Sequence, residues 1–146
     1  MPSLIFDFKY CLVKGRANYI CLRRMKEATA SDGTDFLLDE DEFPQFQKLV
    51  GWAEKTKDGS LNDLTWVPKD SLWDKVCCDK DSCPGVKCSD YNECFFYTAR
   101  RKAAEADIIL VRAKTICDKA YIDGLKNCKL IIRGGVGMDN IDIPYC

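Results

Sequence analysis

The stretch "ECFFYTARRKAAEADIILV", residues 93–111, changes its texture halfway along, and that change decides the fold class. In its first part Phe96, Ala99, Ala103 and Ala106 recur at three and four residues, the spacing of a helix that buries one face and turns Arg100, Arg101 and Lys102 outward. In its second part "DIILV" is a short, β-branched apolar run, the pattern of a buried strand. Downstream, "DKAYIDGLKN" opens on an Asp suited to an N-cap and closes at Asn127, and "KLIIRGGVG" is a second strand running into glycines. Strand, helix and strand in that order predict a β-α-β unit with parallel strands and a right-handed crossover.

Upstream of residue 93 the chain reads as mainly helical. An N-terminal strand is predicted over residues 4–13, closed by the turn at Lys14-Gly15-Arg16. "ANYICLRRMKEA" reads as a helix with Cys21 near its beginning, and Phe43, Phe46, Leu49, Val50 and Ala53 mark another. A short helix surrounds Trp73, and the acidic run at residues 39–42 reads as a solvated face. The expected fold is therefore α+β: a mainly helical region over residues 1–106 with an N-terminal strand, then a β-α-β segment over residues 107–146 giving a small parallel sheet.

Ten Cys and no His set the chemistry. Without imidazole there is no Ser-His or Cys-His nucleophile pair, no His general base and no His metal ligand. With 22 basic and 23 acidic residues the chain is not a globally basic nucleic-acid binder, so such contacts need a local patch. The start of the chain has neither the basic n-region nor the cleavage site of a secretory leader, and no apolar run approaches the roughly 18 residues of a membrane span. These features predict a cytoplasmic protein without membrane contact, where abundant cysteine points to metal rather than disulfides.

The cysteines Cys83, Cys88 and Cys94 stand in a C-x4-C-x5-C array directly ahead of the Arg-bearing helix. A thiolate ligand is favoured at a helix start, where free backbone N–H groups and the dipole stabilise its charge. Gaps this wide exceed the C-x2-C knuckle of most zinc ribbons and suit a larger cubane cluster. The fourth ligand has three candidates, Cys21, Cys77 and Cys78. Closing a loop of about 60 residues to reach Cys21 costs on the order of 4 kcal/mol. Structural metal binding yields ~10–16 kcal/mol, so distance does not exclude it.

Four motifs in order carry a resemblance: "LVKGRANYICLRRM", "LVGWAEKTKDGSLNDL", "SLWDKV" and "CPGVKCSDYNECFFYTARRKAAEADIILV". Over residues 9–111 the chain resembles the iron-sulfur domain of the DinG/XPD family of ATP-dependent DNA helicases. The resemblance implies a [4Fe-4S] cluster on Cys21, Cys83, Cys88 and Cys94, with zinc as the alternative metal, and leaves Cys11, Cys77, Cys78, Cys117, Cys128 and Cys146 as packing or incidental thiols. It also implies that Lys14, Arg16, Arg23, Arg24, Arg100 and Arg101, with Tyr19 among them for stacking, form a track for single-stranded DNA. The remaining domains of a helicase are the other implied partners. Neither a G-x-x-x-x-G-K-[ST] loop nor a DEAH-like box stands in these residues, so ATP hydrolysis is not expected of them.

After "ADIILV" the sequence "RAKTICDKAYIDGLKNCKLIIRGGVGMDNIDIPYC" resembles the substrate domain of the D-2-hydroxyacid dehydrogenases, those acting on 3-phosphoglycerate in particular. That resemblance implies substrate-loop roles for Arg112, Gly135, Val136 and Gly137, with Ala113 where a serine is common. "GGVGMDN" is not the G-x-G-x-x-G of a nicotinamide site, and its glycines suit a turn after a strand. The two resemblances meet at the strand 107–111 and together imply a chimera. Three functions follow: a cluster-holding, DNA-contacting helicase segment, a fragment of an NAD-dependent dehydrogenase, or a zinc-stabilised structural domain.

Overall fold

The computed structural model describes residues 9, 12–30, 38–39, 41–111 and 115–146. It is an α+β chain with five α-helices and one two-stranded parallel sheet among the described residues. Two compact units divide it: Lys14–Thr98, and Ala99–Cys146 together with the described residues of Met1–Val13. The predicted N-terminal strand falls almost wholly outside the described residues, as do Cys11, Arg112 and Ala113.

The first unit packs helices α1 (Leu22–Ala30), α2 (Phe43–Ala53) and α3 (Asp70–Val76) with the opening residues of α4 (Phe95–Ala104). Each short helix offers one apolar face: Met25 and Ala28 from α1, Phe46 and Leu49 from α2, and Leu72, Trp73 and Val76 from α3 form one core with Ile20 and Cys77. The expected helix over residues 17–28 begins late. Arg16–Asn18 is a 3-10 turn, and Tyr19 and Ile20 are extended because they bridge to Ser60 and Cys77. Three backbone bonds fasten this strap: Ile20 N–H to Gly59 O at 2.9 Å, Cys21 N–H to Val76 O at 2.8 Å and Cys78 N–H to Tyr19 O at 2.7 Å. They bring position 21 beside position 78 across a long stretch of sequence.

One acidic residue departs from the solvated reading. Glu42, just ahead of α2, is fully buried, accepting bonds from Ser71 Oγ at 2.5 Å, Lys75 Nζ at 2.7 Å and Asp39 N–H at 3.1 Å. A buried carboxylate is tolerable only when so paired. The Lys75 ammonium and the Ser71 hydroxyl hold its pKa down, from 4.5 to about 2. A carboxylate depressed in the folded state stabilises above its unfolded pKa, and this contribution is lost as pH falls from about 4.5 towards 2. Glu42→Gln is expected to cost about 1–3 kcal/mol at neutral pH and to flatten the acid limb of a stability curve followed by chemical denaturation.

In the second unit β1 (Ile108–Val111) pairs in parallel with β2 (Leu130–Arg133), Ile108 opposite Leu130 and Val111 opposite Arg133. Between them α5 (Lys119–Asp123) starts at Asp118, whose side chain accepts from Tyr121 N–H at 2.9 Å as the sequence predicts. Ala106, Ile109, Val111 and Cys117 form a small core of their own. At the mouth of β1, Asp107 is held by Lys9 N–H at 3.1 Å and the Lys129 ammonium at 3.2 Å. No helix among the described residues is long and apolar enough to cross a membrane.

Candidate metal centre

Cys21 and Cys94 occupy equivalent places, each immediately ahead of a helix. Cys21 O accepts the first bond of α1 from Met25 N–H at 2.9 Å, and Cys94 O accepts that of α4 from Thr98 N–H at 2.8 Å. Each thiol thus faces the free N–H groups of a first turn. Both pKa values are lowered to about 6: the adjacent Cys78 thiol, whose single S–H can serve one of them at a time, is the largest cause for each, and burial opposes it. Backbone N–H groups of Arg24 and Arg23 then assist at Cys21, and those of Tyr97 and Phe96 at Cys94. Cys78, facing both, is pushed upward and stays a protonated thiol.

Cys83 and Cys88 flank a 3-10 turn, Gly85–Lys87, that closes with Cys88 N–H on Gly85 O at 3.0 Å. Gly85 has φ +63°, a left-handed conformation that glycine adopts without strain, and it turns the chain back so that both thiols face one way. The loop is tied to α1 by Arg23, whose Nη2 donates to Ser82 O at 2.9 Å, and by the ion pair of Lys26 with Asp90.

Cys21, Cys78, Cys83, Cys88 and Cys94 line a single cavity, with Arg23, Asp90, Tyr91 and Tyr97 in its wall. About 400 Å³ of space lies between the lining atoms, part of it open to solvent, and about 20 Å³ of that admits the centre of a water molecule. All five are free thiols. Among the described residues no three Cys, Asp or Glu side chains gather closely enough to hold one metal ion.

Cys78, one of the three sequence candidates for the fourth ligand and the one the resemblance leaves with the packing or incidental thiols, lines this cavity too. Cys77 is extended, so neighbouring side chains point to opposite sides: Cys77 enters the apolar core and Cys78 the cavity. No spacing rule distinguishes two adjacent cysteines before that backbone is known.

Most of the expected DNA track is engaged elsewhere in this unit. Tyr19 has no exposed surface; it packs edge-on against Phe96 and accepts Lys14 N–H at 3.0 Å, so it is a core residue and not a stacking platform. Lys14 Nζ bonds Asp58 and Ser60, both at 2.5–3.0 Å, and Arg24 donates to Cys77 O at 2.8 Å. Arg16 lies over the Phe96 ring at 4.3 Å and near Tyr97 at 5.7 Å. Arg23 pairs with Glu27 at 2.5 Å. In the second unit Arg100 and Arg101 are exposed on α4.

The glycine loop after β2 is a turn. Gly135 and Gly137 have φ +138° and +81°, and Val136, 97% exposed, gives its carbonyl to Arg133.

Comparison with known proteins returns two likenesses. A family model described as "D-isomer specific 2-hydroxyacid dehydrogenase, catalytic domain" matches residues 81–146. The ATP-dependent DNA helicase YoaA of Haemophilus influenzae is 34% identical over 110 residues, 75% of this chain and 17% of that protein. DinG of Escherichia coli is 30% identical over 151 residues, covering 92% of this chain and 21% of that helicase. The DinG helicase of Mycobacterium tuberculosis is 34% identical over 113 residues, 70% of this chain and 17% of its own length. The chain thus spans about a fifth of these relatives, and the DinG match, covering 92% of the chain, overlaps the residues that the family model matches. No solved structure matches it.

Proposed function

We propose that this chain, related to a segment of the DinG and YoaA helicases, holds a [4Fe-4S] cluster on Cys21, Cys83, Cys88 and Cys94 and contacts single-stranded DNA. The observation that carries the reading is that one remote thiol and three from a single loop face a common cavity. The donor set fits. Two of the four thiols are poised towards thiolate at helix starts, and the other two sit on a turn held to α1 by Arg23. A cubane spreads its thiolates more widely than a single tetrahedral ion with Zn–S bonds of about 2.3 Å.

When bound, the cluster would supply a one-electron couple or a rigid cross-link between α1, the cysteine loop and α4. The protein's part is to hold Cys21 and Cys94 towards thiolate at helix starts. Iron and acid-labile sulfide, measured per chain after anaerobic purification, test the reading; a colourless protein with stoichiometric zinc overturns it.

For nucleic acid, Arg100 and Arg101 are the exposed members of the expected track. Affinity for an oligonucleotide is expected to fall with added salt, each phosphate contact on a single strand contributing about −0.7 to the logarithmic slope. The double variant Arg100→Glu, Arg101→Glu should shallow that slope by one to two such contacts; an unchanged slope removes α4 from the interface.

A further inference from the structure

Arg23 is bonded at two of its three nitrogens, and the third is buried without a partner. Nη1 pairs with Glu27 Oε1 at 2.5 Å and Nη2 donates to Ser82 O at 2.9 Å, which fixes the plane of the guanidinium. Its Nε–H is the buried side-chain polar group left unsatisfied among the described residues. An orphaned buried donor costs about 1–3 kcal/mol, and a charged one more. Arg23 forms part of the wall of the cysteine cavity, where Cys21 and Cys88 are within electrostatic reach of it. A cation clamped at both ends, with a donor left over beside two thiols, is arranged for an anion in the cavity.

We propose that Arg23, through Nε–H and its positive charge, is the positioning residue for the anionic centre bound by the cysteines, and not a contact for DNA. The proposal rests on the cluster reading given above. Its guanidinium ties α1, which follows Cys21, to the loop that carries Cys83 and Cys88, and leaves its Nε–H to donate to the bound centre. Hydrogen bonds and nearby positive charge stabilise the more negative, reduced state of a cluster and so raise its potential. A donor in the wall also holds the loop over the site and slows access by oxygen.

The test compares the full chain with Arg23→Leu, Arg23→Gln and Arg23→Lys, all purified anaerobically. Read-outs are iron and sulfide per chain, the midpoint potential by spectroelectrochemistry, the half-life of colour in air, and affinity for a single-stranded oligonucleotide. The expected result is a more negative potential and a several-fold shorter half-life in air for Arg23→Leu, with oligonucleotide affinity unchanged. Arg23→Gln should resemble Arg23→Leu, and Arg23→Lys, keeping the charge without the Nε fork, should recover part of the potential. If Arg23→Leu fails to load iron, the loaded Arg23→Lys protein still decides: a potential equal to that of the unsubstituted chain overturns the proposal. So does lost oligonucleotide affinity with the potential unmoved, which returns Arg23 to the DNA track. Failure of the underlying cluster reading is seen separately, as absence of iron and sulfide from the unsubstituted chain.

Discussion

Cys21→Ala is expected to yield a colourless protein whose iron content falls from that of a cubane to near none, while Cys78→Ala keeps its colour. The two thiols are neighbours in the same cavity, yet their settings differ in kind. Cys21 stands at the start of α1 with N–H groups directed at its sulfur, and it is held towards thiolate. Cys78 is buried, lies 3.5 Å from Ile20 O as a donor, and is held as a thiol by the two cysteines it faces. A ligand must give up its proton, so Cys21 is the better fourth ligand although Cys78 is nearer in sequence to the other three. The effect on stability should be large as well, because structural metal binding contributes on the order of 10 kcal/mol to folding. The loop around Cys83 and Cys88 has little else to hold it: Val86 is 74% exposed, and its ties are Arg23, Lys26 and short turns. Iron analysis and hydrogen exchange of residues 79–94 check both parts. Retention of iron in Cys21→Ala with its loss in Cys78→Ala would move the fourth ligand to Cys78.

Local pattern made the helices and the sheet legible, and pairing between distant segments hid much of the rest. The spacing of Phe46 and Leu49, of Leu72 and Val76, and the apolar run Ile108–Val111 report directly which faces are buried. Tyr19 and Ile20 look equally helical in sequence, but Ser60 and Cys77 claim them as bridge partners, and the extended strap that results decides where Cys21 points. The same tertiary bonds consume the basic residues. Lys14 is drawn to Asp58, Arg24 to the Cys77 carbonyl and Arg23 to Ser82, and none of these partners lies close in sequence. Glu42 sits in an acidic run that repulsion should expose, and only the approach of Ser71 and Lys75 on α3 makes its burial affordable. The array of Cys83, Cys88 and Cys94 is legible as a local spacing; that Cys21 and Cys78 line the same cavity depends on pairing between distant segments and is not.

Gly59→Ala is expected to destabilise the first unit by about 2–4 kcal/mol, the sum of left-handed strain and overpacking, and to lower iron per chain with it. Gly59 has φ +64°, and a Cβ built there would stand 2.1 Å from Cγ of Phe95. The glycine cannot simply shift away, because its carbonyl accepts Ile20 N–H in the strap that sets Cys21. Nor can Phe95 move freely: it packs against the main core and directly follows Cys94. One methyl group therefore pushes on the backbone beside two of the four proposed ligands at once. Phe95→Leu, with a smaller side chain at the contact, should be destabilising alone yet recover part of the loss when combined with Gly59→Ala. A double-mutant cycle by chemical denaturation is expected to give a coupling of about 1 kcal/mol or more, within the range for residues in contact. Additive losses, with iron content unaffected by Gly59→Ala, would mean that the strap and the start of α4 place Cys21 and Cys94 independently of this contact.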